Sequence, residues 1–441
     1  MNAAPDTQFR LGSSFGPGHP FYFTGTLDEP TVFPRALSAA EVSAIYTAGA
    51  NGKCAPSVPG AQQAKLTAAD PAPDDWFGRS VAIDGQTAVV GSVGDDNVGT
   101  DSGSAYVFTR SGATWTQEAK LTASDAAGSD NFGFSVAVSG DTAVVGAFGD
   151  DDRGLNSGSA YVFTRTGTTW TQQAKLTASD GAQFDNFGRA VAIDGDSVLV
   201  GVLFDDNGGI SNTGSAYVFT RTGTTWTQQA KLLAGDRAAG DGFGYAVAID
   251  GDTALMGADL DDNVGTDSGS AYVFTRSGTT WTQQAKLTAS DAAANDGFGY
   301  AVSYNGDTAL VGAFGDDDGG SNSGSAYVFT RTGTTWTQQA KLTASDAAAD
   351  DQFGIAVAVS AGTAILGAFG DDDGGSASGS AYVFTSTGTT WTQQAKLTAS
   401  DAAADDQFGI AVAVSAGTAI LGAFGDDDGG SASGSAYVFA N

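Results

Sequence analysis

The chain has 441 residues, and its 50 aspartates and glutamates against 19 lysines and arginines give a formal net charge of −31. A surface this negative repels phosphate backbones and anionic headgroups. The composition therefore argues against nucleic acid and acidic membranes as partners and favours metal cations or basic protein surfaces. The alternative is that the charge only maintains solubility. No apolar segment approaches the roughly 18 residues that a membrane-spanning helix needs, so membrane insertion is not expected.

The N-terminal segment carries two motifs. Residues 23–30 read Phe-Thr-Gly-Thr-Leu-Asp-Glu-Pro, and residues 35–42 read Arg-Ala-Leu-Ser-Ala-Ala-Glu-Val. The second motif predicts a short helix, with Ser38 as N-cap and Glu41 completing a capping box. The two motifs resemble the last strand and following helix of a laminin-G-like, concanavalin-type jelly roll. The resemblance implies that residues 1–54 are the C-terminal fragment of such a domain, and residues 55–60, with two prolines, are predicted to be a linker.

Most of that jelly roll is absent, and we favour a chain truncated at its N-terminus over a fragment that packs in an unusual way. Truncation would explain why no signal peptide is visible after Met1. It would also explain the unpaired cysteine: Cys54 is the only cysteine, so no disulfide can form within the chain.

Residues 61–441 are a tandem repeat with a period of 55 residues and one step of 56, whose extra residue lies near Ile210. Three motifs recur seven times: Ala-Lys-Leu, Phe-Gly and Ser-Ala-Tyr-Val-Phe. The lysines are Lys65, Lys120, Lys175, Lys231, Lys286, Lys341 and Lys396. The Phe-Gly motifs begin at Phe77, Phe132, Phe187, Phe243, Phe298, Phe353 and Phe408. The tyrosines are Tyr106, Tyr161, Tyr217, Tyr272, Tyr327, Tyr382 and Tyr437.

Each repeat predicts four short strands, A to D, because β-branched and aromatic runs alternate with Gly and Asp clusters. In the sixth repeat these are residues 353–360, 363–369, 380–385 and 391–399. Strands A and B are almost entirely apolar, which is typical of inner strands covered on both faces. Strand D alternates, and we expect Trp391, Gln393 and Leu397 on one face and Lys396 with Thr392 on the other, wetter face.

The two ends of the repeat array predict its architecture. Four-stranded repeats form either a closed β-propeller or a stacked solenoid, which would need capping units. The array begins on residues 61–66, a strand D without its partners, and ends on residues 435–439, a strand C without a strand D. The sequence therefore predicts an all-β, seven-bladed propeller in which residues 62–66 pair beside residues 435–439 and close the ring.

The repeats resemble FG-GAP repeats of the bacterial type, the blades also found in integrin α-subunits. The resemblance implies an extracellular, cell-surface or secreted module with a binding or adhesive role, and a monomeric ring within a larger chain. It also implies calcium in an Asp-rich loop between strands A and B. Here that connection has shrunk to two residues, as at Gly140 and Asp141, which cannot supply the roughly 6–8 oxygens that calcium takes. The calcium sites of the family are therefore not expected at this position.

Aspartates instead fill the B–C and D–A loops, which alternate connectivity places together on one face of the ring. Dense carboxylates repel one another and should raise their own pKa values unless a cation intervenes. Their oxygens and flexible backbone suit Ca²⁺, whereas Asp and Gly also favour turns without any ligand, and both interpretations stay open. The candidate metal ligands are Asp150, Asp152, Asp205, Asp261, Asp316, Asp318, Asp371, Asp373, Asp426 and Asp428.

Two other observations bear on ligands and catalysis. Trp76 takes the place of Asn or Gln in other repeats and is either an exposed stacking residue for a ligand or a packed loop residue. The only histidine, His19, lies outside the ring, so no serine there has a histidine to activate it. Residues 336–384 are identical to residues 391–439, and such symmetry argues against a carboxylate pair acting as a glycosidase site.

The sequence therefore favours a non-catalytic extracellular module that binds a protein or glycan, with calcium as a candidate cofactor. A structural spacer in a large surface protein is the alternative, and a polysaccharide-active enzyme is a remote one.

Overall fold

A computed structural model describes residues 60–440 of the chain. These residues form 28 strands and no helix, and so contain no helix that could cross a membrane. The predicted jelly-roll fragment, Cys54 and His19 lie outside the described residues. The strands of blades 1–3 are β2 (Phe77–Asp84), β3 (Thr87–Ser92), β4 (Ser104–Ser111), β5 (Thr114–Leu121), β6 (Phe132–Ser139), β7 (Thr142–Ala147), β8 (Ser159–Thr166), β9 (Thr169–Leu176), β10 (Phe187–Asp194), β11 (Ser197–Val202), β12 (Ser215–Thr222) and β13 (Thr225–Leu232).

Blades 4–6 repeat the same order, and blade 7 shares its strands between the two ends of the array. The strands of blades 4–6 are β14 (Val247–Asp250), β15 (Thr253–Ala258), β16 (Ser270–Ser277), β17 (Thr280–Leu287), β18 (Val302–Asn305), β19 (Thr308–Ala313), β20 (Ser325–Thr332), β21 (Thr335–Leu342), β22 (Val357–Ser360), β23 (Thr363–Ala368), β24 (Ser380–Thr387) and β25 (Thr390–Leu397). Blade 7 contains β26 (Ala411–Ser415), β27 (Thr418–Ala423), β28 (Ser435–Ala440) and β1 (Ala61–Leu66).

Each blade is an antiparallel four-stranded meander, and the seven sheets confirm the predicted seven-bladed propeller. In blade 7 the order is β1-β28-β27-β26, so the first strand completes the last blade. Its register pairs Gln62 with Phe439 and Leu66 with Ala436, as the sequence predicts for ring closure. Each sheet keeps two short edges, strand A at the channel and strand D at the rim, and no edge strand exceeds eight residues.

The core consists of seven apolar clusters, each lying between neighbouring blades. Phe77 is completely buried, and its ring packs edge-on against Tyr106 and Phe108, with centroids 5.5 and 6.0 Å apart. The same three-ring arrangement recurs in the other blades, for example at Phe298, Tyr327 and Phe329. The three rings of blade 1 also share a buried cluster with Ile420 of blade 7, so the Phe-Gly and Tyr-Val-Phe motifs pack each blade against the preceding one.

Glycine is required where neighbouring blades come closest. A Cβ on Gly91 in strand B would lie 1.9 Å from the carbonyl oxygen of Gly133 in the next blade. Gly133 itself follows Phe132 and adopts φ +92°, a conformation that residues with a Cβ rarely adopt. The Gly of Phe-Gly and the Gly of strand B thus allow backbone-to-backbone contact between blades.

Strand D does not alternate as the sequence pattern predicts. The pairing of strands β24 and β25 contains a β-bulge opposite Val383 and Phe384, and Gln394 of β25 has no partner there. Phe384 therefore pairs with Gln393, and Tyr382 pairs with Lys396. The extra residue shifts the alternation by one position. Lys396 therefore lies over the Tyr382 ring, 5.2–5.3 Å from it as in every blade, and faces the preceding blade. The expectation that it shares a face with Thr392, and not with Gln393, was wrong.

Strand A is the innermost strand, and the seven copies line a central channel. Two consecutive cavities of about 250 and 240 Å³ follow the axis and share a ring of seven valines. In blades 4–6 the regular part of strand A is shorter than predicted, beginning at Val357 rather than Phe353 in blade 6. Pairing still continues upstream through the hydrogen bond from Gly354 N to Gly367 O at 2.9 Å.

Candidate binding face

The B–C and D–A loops lie side by side on one face of the ring, which we call the acidic-loop face. The D–A loop that enters blade 2 donates backbone N–H groups from Ser129 and Asn131 to Thr100 O and Asp101 O of the blade 1 B–C loop, at 2.7 and 3.1 Å. Equivalent bonds link the other loops, including Asp74 N to Ser431 O across the ring closure at 2.8 Å. The loops thus form a continuous hydrogen-bonded belt.

The lysine of each Ala-Lys-Leu motif binds the carboxylates of this belt. In blade 2, Lys175 Nζ lies 2.8 Å from Asp125, 2.8 Å from Asp150 and 2.5 Å from Asp152. Asp125 belongs to the loop arriving from blade 1, whereas the other two belong to the B–C loop of blade 2. The contacts to the arriving loop and to the first aspartate of the B–C loop recur in all seven blades, at Lys65, Lys120, Lys175, Lys231, Lys286, Lys341 and Lys396.

The first aspartate of each B–C loop is buried and holds the centre of the network. The Oδ2 atom of Asp150 accepts from Lys175 and from the hydroxyl of Tyr161, each at 2.8 Å. Its Oδ1 atom accepts the backbone N–H of Asp152 at 3.1 Å. The buried carboxylates are between 3 and 5% exposed: Asp95, Asp150, Asp205, Asp261, Asp316, Asp371 and Asp426.

The lysine also determines the protonation of the cluster. Burial alone would raise the pKa of the Asp150 carboxyl, but hydrogen bonds from Lys175 and Tyr161 outweigh burial and hold this pKa below its ordinary value. Burial opposes the charge of Lys175 too, yet its carboxylate partners hold its pKa above the ordinary value. The cation expected between crowded carboxylates is therefore present as an ammonium group of the chain itself.

A second aspartate in each D–A loop has no such partner. Burial raises the pKa of Asp130 to about 6, against an ordinary 3.8, although its carboxylate accepts the backbone N–H of Ala127 at 2.7 Å. Asp75, Asp185 and Asp406 behave in the same way. These carboxyls cap the loops and form no ion pair with the lysine, whose charge lowers their pKa less than burial raises it.

The predicted metal ligands divide into two groups. Four clusters bring three carboxylate oxygens within 4.8 Å of one another, a grouping of the kind that can hold a metal ion: Asp125, Asp150 and Asp152; Asp291, Asp316 and Asp318; Asp346, Asp371 and Asp373; Asp401, Asp426 and Asp428. Asp205 and Asp261 join no such triad, because Asn207 and Asn263 take the third position in blades 3 and 4. There the lysine binds two carboxylates.

The donor set of the triads does not fit calcium while the lysine is in place. In each triad the ammonium nitrogen lies 2.5–2.8 Å from all three aspartates. The second carboxylate oxygen of the buried aspartate accepts a hydrogen bond from a backbone N–H. Calcium takes roughly 6–8 oxygens, so it would have to displace the lysine.

The opposite face carries a separate set of ion pairs. Arg165 binds Asp141 of the A–B turn at 2.6 Å, and its guanidinium stacks over Trp170 at 5.2 Å. In the next blade Arg221 pairs with Asp196 at 2.6 Å and also donates to Thr142 of the preceding blade at 3.0 Å. Lysine thus joins blades on one face of the ring and arginine on the other.

Trp76 lies on the acidic-loop face, in the D–A loop that enters blade 1. Its side chain is 38% exposed and its backbone has φ 53°. The indole meets Phe424 of blade 7 edge-on, with ring centroids 6.4 Å apart. Trp76 is therefore an exposed aromatic residue of the acidic-loop face, at the junction between blades 1 and 7.

Sequence reasoning missed the residues that surround the channel mouth on this face. They follow Phe-Gly in each repeat, and they differ between blades although the flanking residues are nearly constant. That variation was visible in the sequence as a break in repeat symmetry. The seven residues are Arg79, Phe134, Arg189, Tyr245, Tyr300, Ile355 and Ile410.

The FG-GAP repeat family matches seven segments that span nearly all of the ring. The matched segments are residues 61–108, 115–163, 170–219, 226–274, 281–329, 336–384 and 391–439. This chain belongs to the FG-GAP repeat family. The FG-GAP ring is also similar in fold to a chain in the crystal structure of the mitotic checkpoint complex, with a TM-score of 0.53 at 11% identity, covering 94% of this chain and 99% of that one. No curated protein matches this FG-GAP sequence.

Proposed function

We propose that this FG-GAP propeller is a non-catalytic binding module of the cell exterior that contacts a protein or glycan partner through its acidic-loop face. One observation carries the proposal. Within residues 60–440, the large hydrophobic side chains that are exposed all lie on this face, in loops of blades 1–4: Trp76, Val98, Leu155, Phe184, Phe204, Leu260 and Val264. Leu155 and Phe184 are neighbours, since Phe184 N donates to Leu155 O at 2.8 Å. Exposed apolar side chains confined to one face of a molecule are typical of an interaction surface.

The lysine-bound loops support the same proposal. Exposed residues on loops fixed by hydrogen bonds and ion pairs lose little freedom on binding, so less affinity is spent on ordering them. Because lysine neutralises the carboxylates, we infer that partner binding does not depend on calcium. Calcium-dependent binding is the alternative, and the same experiment distinguishes the two.

The experiment uses protein and glycan arrays probed with the full chain, in calcium and in chelator. We expect a partner to bind under both conditions. Leu155→Ser combined with Phe184→Ser should weaken that binding at least tenfold, since central apolar contacts dominate interface energies. These variants should fold normally, because Ser129 already occupies the position equivalent to Phe184 with the same φ of 68°.

The matched control is Thr168→Ala in an exposed turn of the opposite face, which should bind like the wild type. Equal weakening by both variants would show that the acidic-loop face is not the binding surface. Binding that disappears in chelator would instead favour calcium dependence. The absence of any partner would favour a structural spacer, which the identity of residues 336–384 and 391–439 already suggests.

A further inference from the structure

The channel mouth on the acidic-loop face is the least symmetric part of the ring. Blades 1 and 3 contribute Arg79 and Arg189 there, and blades 2, 4 and 5 contribute Phe134, Tyr245 and Tyr300. The cavity that these side chains line has a volume of about 250 Å³. Ligand sites interrupt repeat symmetry because a ligand in a ring meets a particular set of side chains, so this mouth is the place to look for one.

The two guanidinium groups are held by aromatic rings. Arg79 lies 4.9 Å from the centroid of Phe134 and 6.0 Å from that of Phe424. Arg189 lies 5.0 Å from Phe134 and 4.5 Å from Tyr245. Phe134 is therefore stacked between two arginines. Stacking engages the flat faces of a guanidinium and leaves its N–H edge available to an acceptor.

Neither arginine is paired with a carboxylate within residues 60–440, although the chain has a large acidic excess. The Nε atom of Arg189 is buried without a hydrogen-bond partner among those residues. Burial lowers the pKa of the Arg79 guanidinium, and the titratable neighbours that act on it are Tyr300, Arg189 and Tyr245. Other arginines without a carboxylate partner, such as Arg110 and Arg153, donate to hydroxyl or backbone oxygens of the ring. The side chains of Arg79 and Arg189 make no hydrogen bond among residues 60–440, so an acceptor from outside could satisfy them.

One acidic residue lies near the channel mouth. Asp259 replaces the phenylalanine found at the equivalent position of blades 2, 5, 6 and 7; it is buried, and its Oδ1 atom has no partner among the described residues. Burial raises its pKa to about 7, with Arg189 acting in the opposite direction. This carboxyl therefore offsets at most one of the two positive charges.

We propose that the channel mouth binds a ligand carboxylate at the N–H edges of Arg79 and Arg189, which line the cavity on either side of Phe134. Guanidinium forks match the planar geometry of a carboxylate and hold it with charge-assisted hydrogen bonds. The surrounding acidic loops repel anions, and they repel a dianion such as sulfate more strongly than a monoanion. The inference goes beyond the proposed function, because it concerns a small anionic group in the channel and not a partner on the loops.

The test is isothermal titration of the full chain with acetate, glucuronate, glucose and sulfate. Acetate and glucuronate should bind, and glucose and sulfate should not. Tighter binding of glucuronate than of acetate would identify a carboxylate carried on a sugar, whereas equal affinity would identify the free carboxylate. Binding of sulfate and acetate alike, or of neither acetate nor glucuronate, would overturn the proposal.

Variants locate the site. Arg79→Gln and Arg189→Gln should each weaken carboxylate binding about tenfold or more, as expected for loss of a charged hydrogen bond. Arg153→Gln removes the same charge from an exposed loop of the same face and should leave the affinity unchanged. Asp259→Asn removes the opposing acid and should strengthen binding, which keeps the test decisive if an arginine variant fails to fold. Equal effects of all three arginine variants would indicate only general electrostatic attraction and would contradict the proposal.

Discussion

At the scale of single residues, the lysine of Ala-Lys-Leu explains how an acidic chain tolerates its own charge. Each lysine places one ammonium between a loop of its own blade and the loop arriving from the preceding blade. Sequence analysis identified the lysine as a motif and the aspartates as a cluster, but it did not join them. The reason is the strand D bulge, which moves the lysine to the face that carries Tyr382 and has no signature in the residue pattern.

Removing one lysine should therefore expose a carboxylate triad. Lys341→Met leaves buried Asp316 and its partners Asp291 and Asp318 without a cation. Loss of one partner of a buried ion pair leaves an uncompensated charge, and we expect a destabilisation of about 3 kcal/mol. Without lysine the three carboxylates are available to calcium, so calcium should raise the thermal unfolding midpoint of Lys341→Met and not that of the wild type.

The control for this prediction is Lys231→Met in blade 3. There Asn207 replaces the third aspartate, and only Asp180 and Asp205 bind the lysine. Calcium should stabilise this variant less than Lys341→Met. Equal calcium responses in the wild type and both variants would mean that lysine does not exclude the metal.

At the scale of strands and blades, most of the fold was predictable. The 55-residue period, the four strands per repeat and the pairing of residues 62–66 with residues 435–439 all follow from hydrophobic patterning and from the incomplete ends of the array. These features can be inferred from the local sequence pattern and from the number of strands in the array. What could not be predicted depends on contacts between blades, such as the bulge and the close approach of Gly91 to Gly133.

The close approach makes the strand B glycine a position that should not tolerate a side chain. In Gly312→Ala the new Cβ would lie 2.0 Å from the carbonyl oxygen of Gly354 in the next blade. Because backbone must move to relieve this overlap, we expect a destabilisation of about 3 kcal/mol or more. Chemical denaturation measured by tryptophan fluorescence provides the free energy of unfolding.

Gly333→Ala is the matched control for Gly312→Ala. Gly333 has φ +64°, but no atom lies within 4 Å of its added Cβ. Its substitution should cost only the roughly 1–2 kcal/mol of a left-handed residue. If Gly333→Ala proved as damaging as Gly312→Ala, contact between blades would not be the cause.

At the scale of the whole molecule, the positions of the charged groups affect stability and binding more than the net charge does. Sequence patterning predicted that the aspartates would gather on the B–C and D–A loops. It did not predict which of them would be neutralised, since that depends on the three-dimensional position of lysine. The same limit applies to the channel mouth, because Arg79 and Arg189 lie 110 positions apart in the sequence and are brought together by the packing of blades 1, 2 and 3 around the axis.

Two populations of aspartate should set the pH dependence of stability. Asp75, Asp130, Asp185 and Asp406 have pKa values of about 6 when folded, against an ordinary 3.8, so they favour folding when protonated. Their contribution is complete below about pH 4 and is lost as the pH rises through about 6. The lysine-bound aspartates have lowered pKa values, so their contribution is lost as the pH falls below about 4: Asp70, Asp150, Asp180, Asp236, Asp291, Asp346 and Asp401.

The thermal unfolding midpoint should therefore be highest at about pH 4 and should fall on either side. Net charge repulsion also predicts a fall toward neutral pH, and substitution separates the two causes. A variant with asparagine at Asp75, Asp130, Asp185 and Asp406 keeps an oxygen for the backbone N–H that each carboxylate accepts. It should lose most of the decrease between about pH 4 and 6. A decrease as large as that of the wild type would assign the pH dependence to the overall charge of the ring and not to these four buried carboxyls.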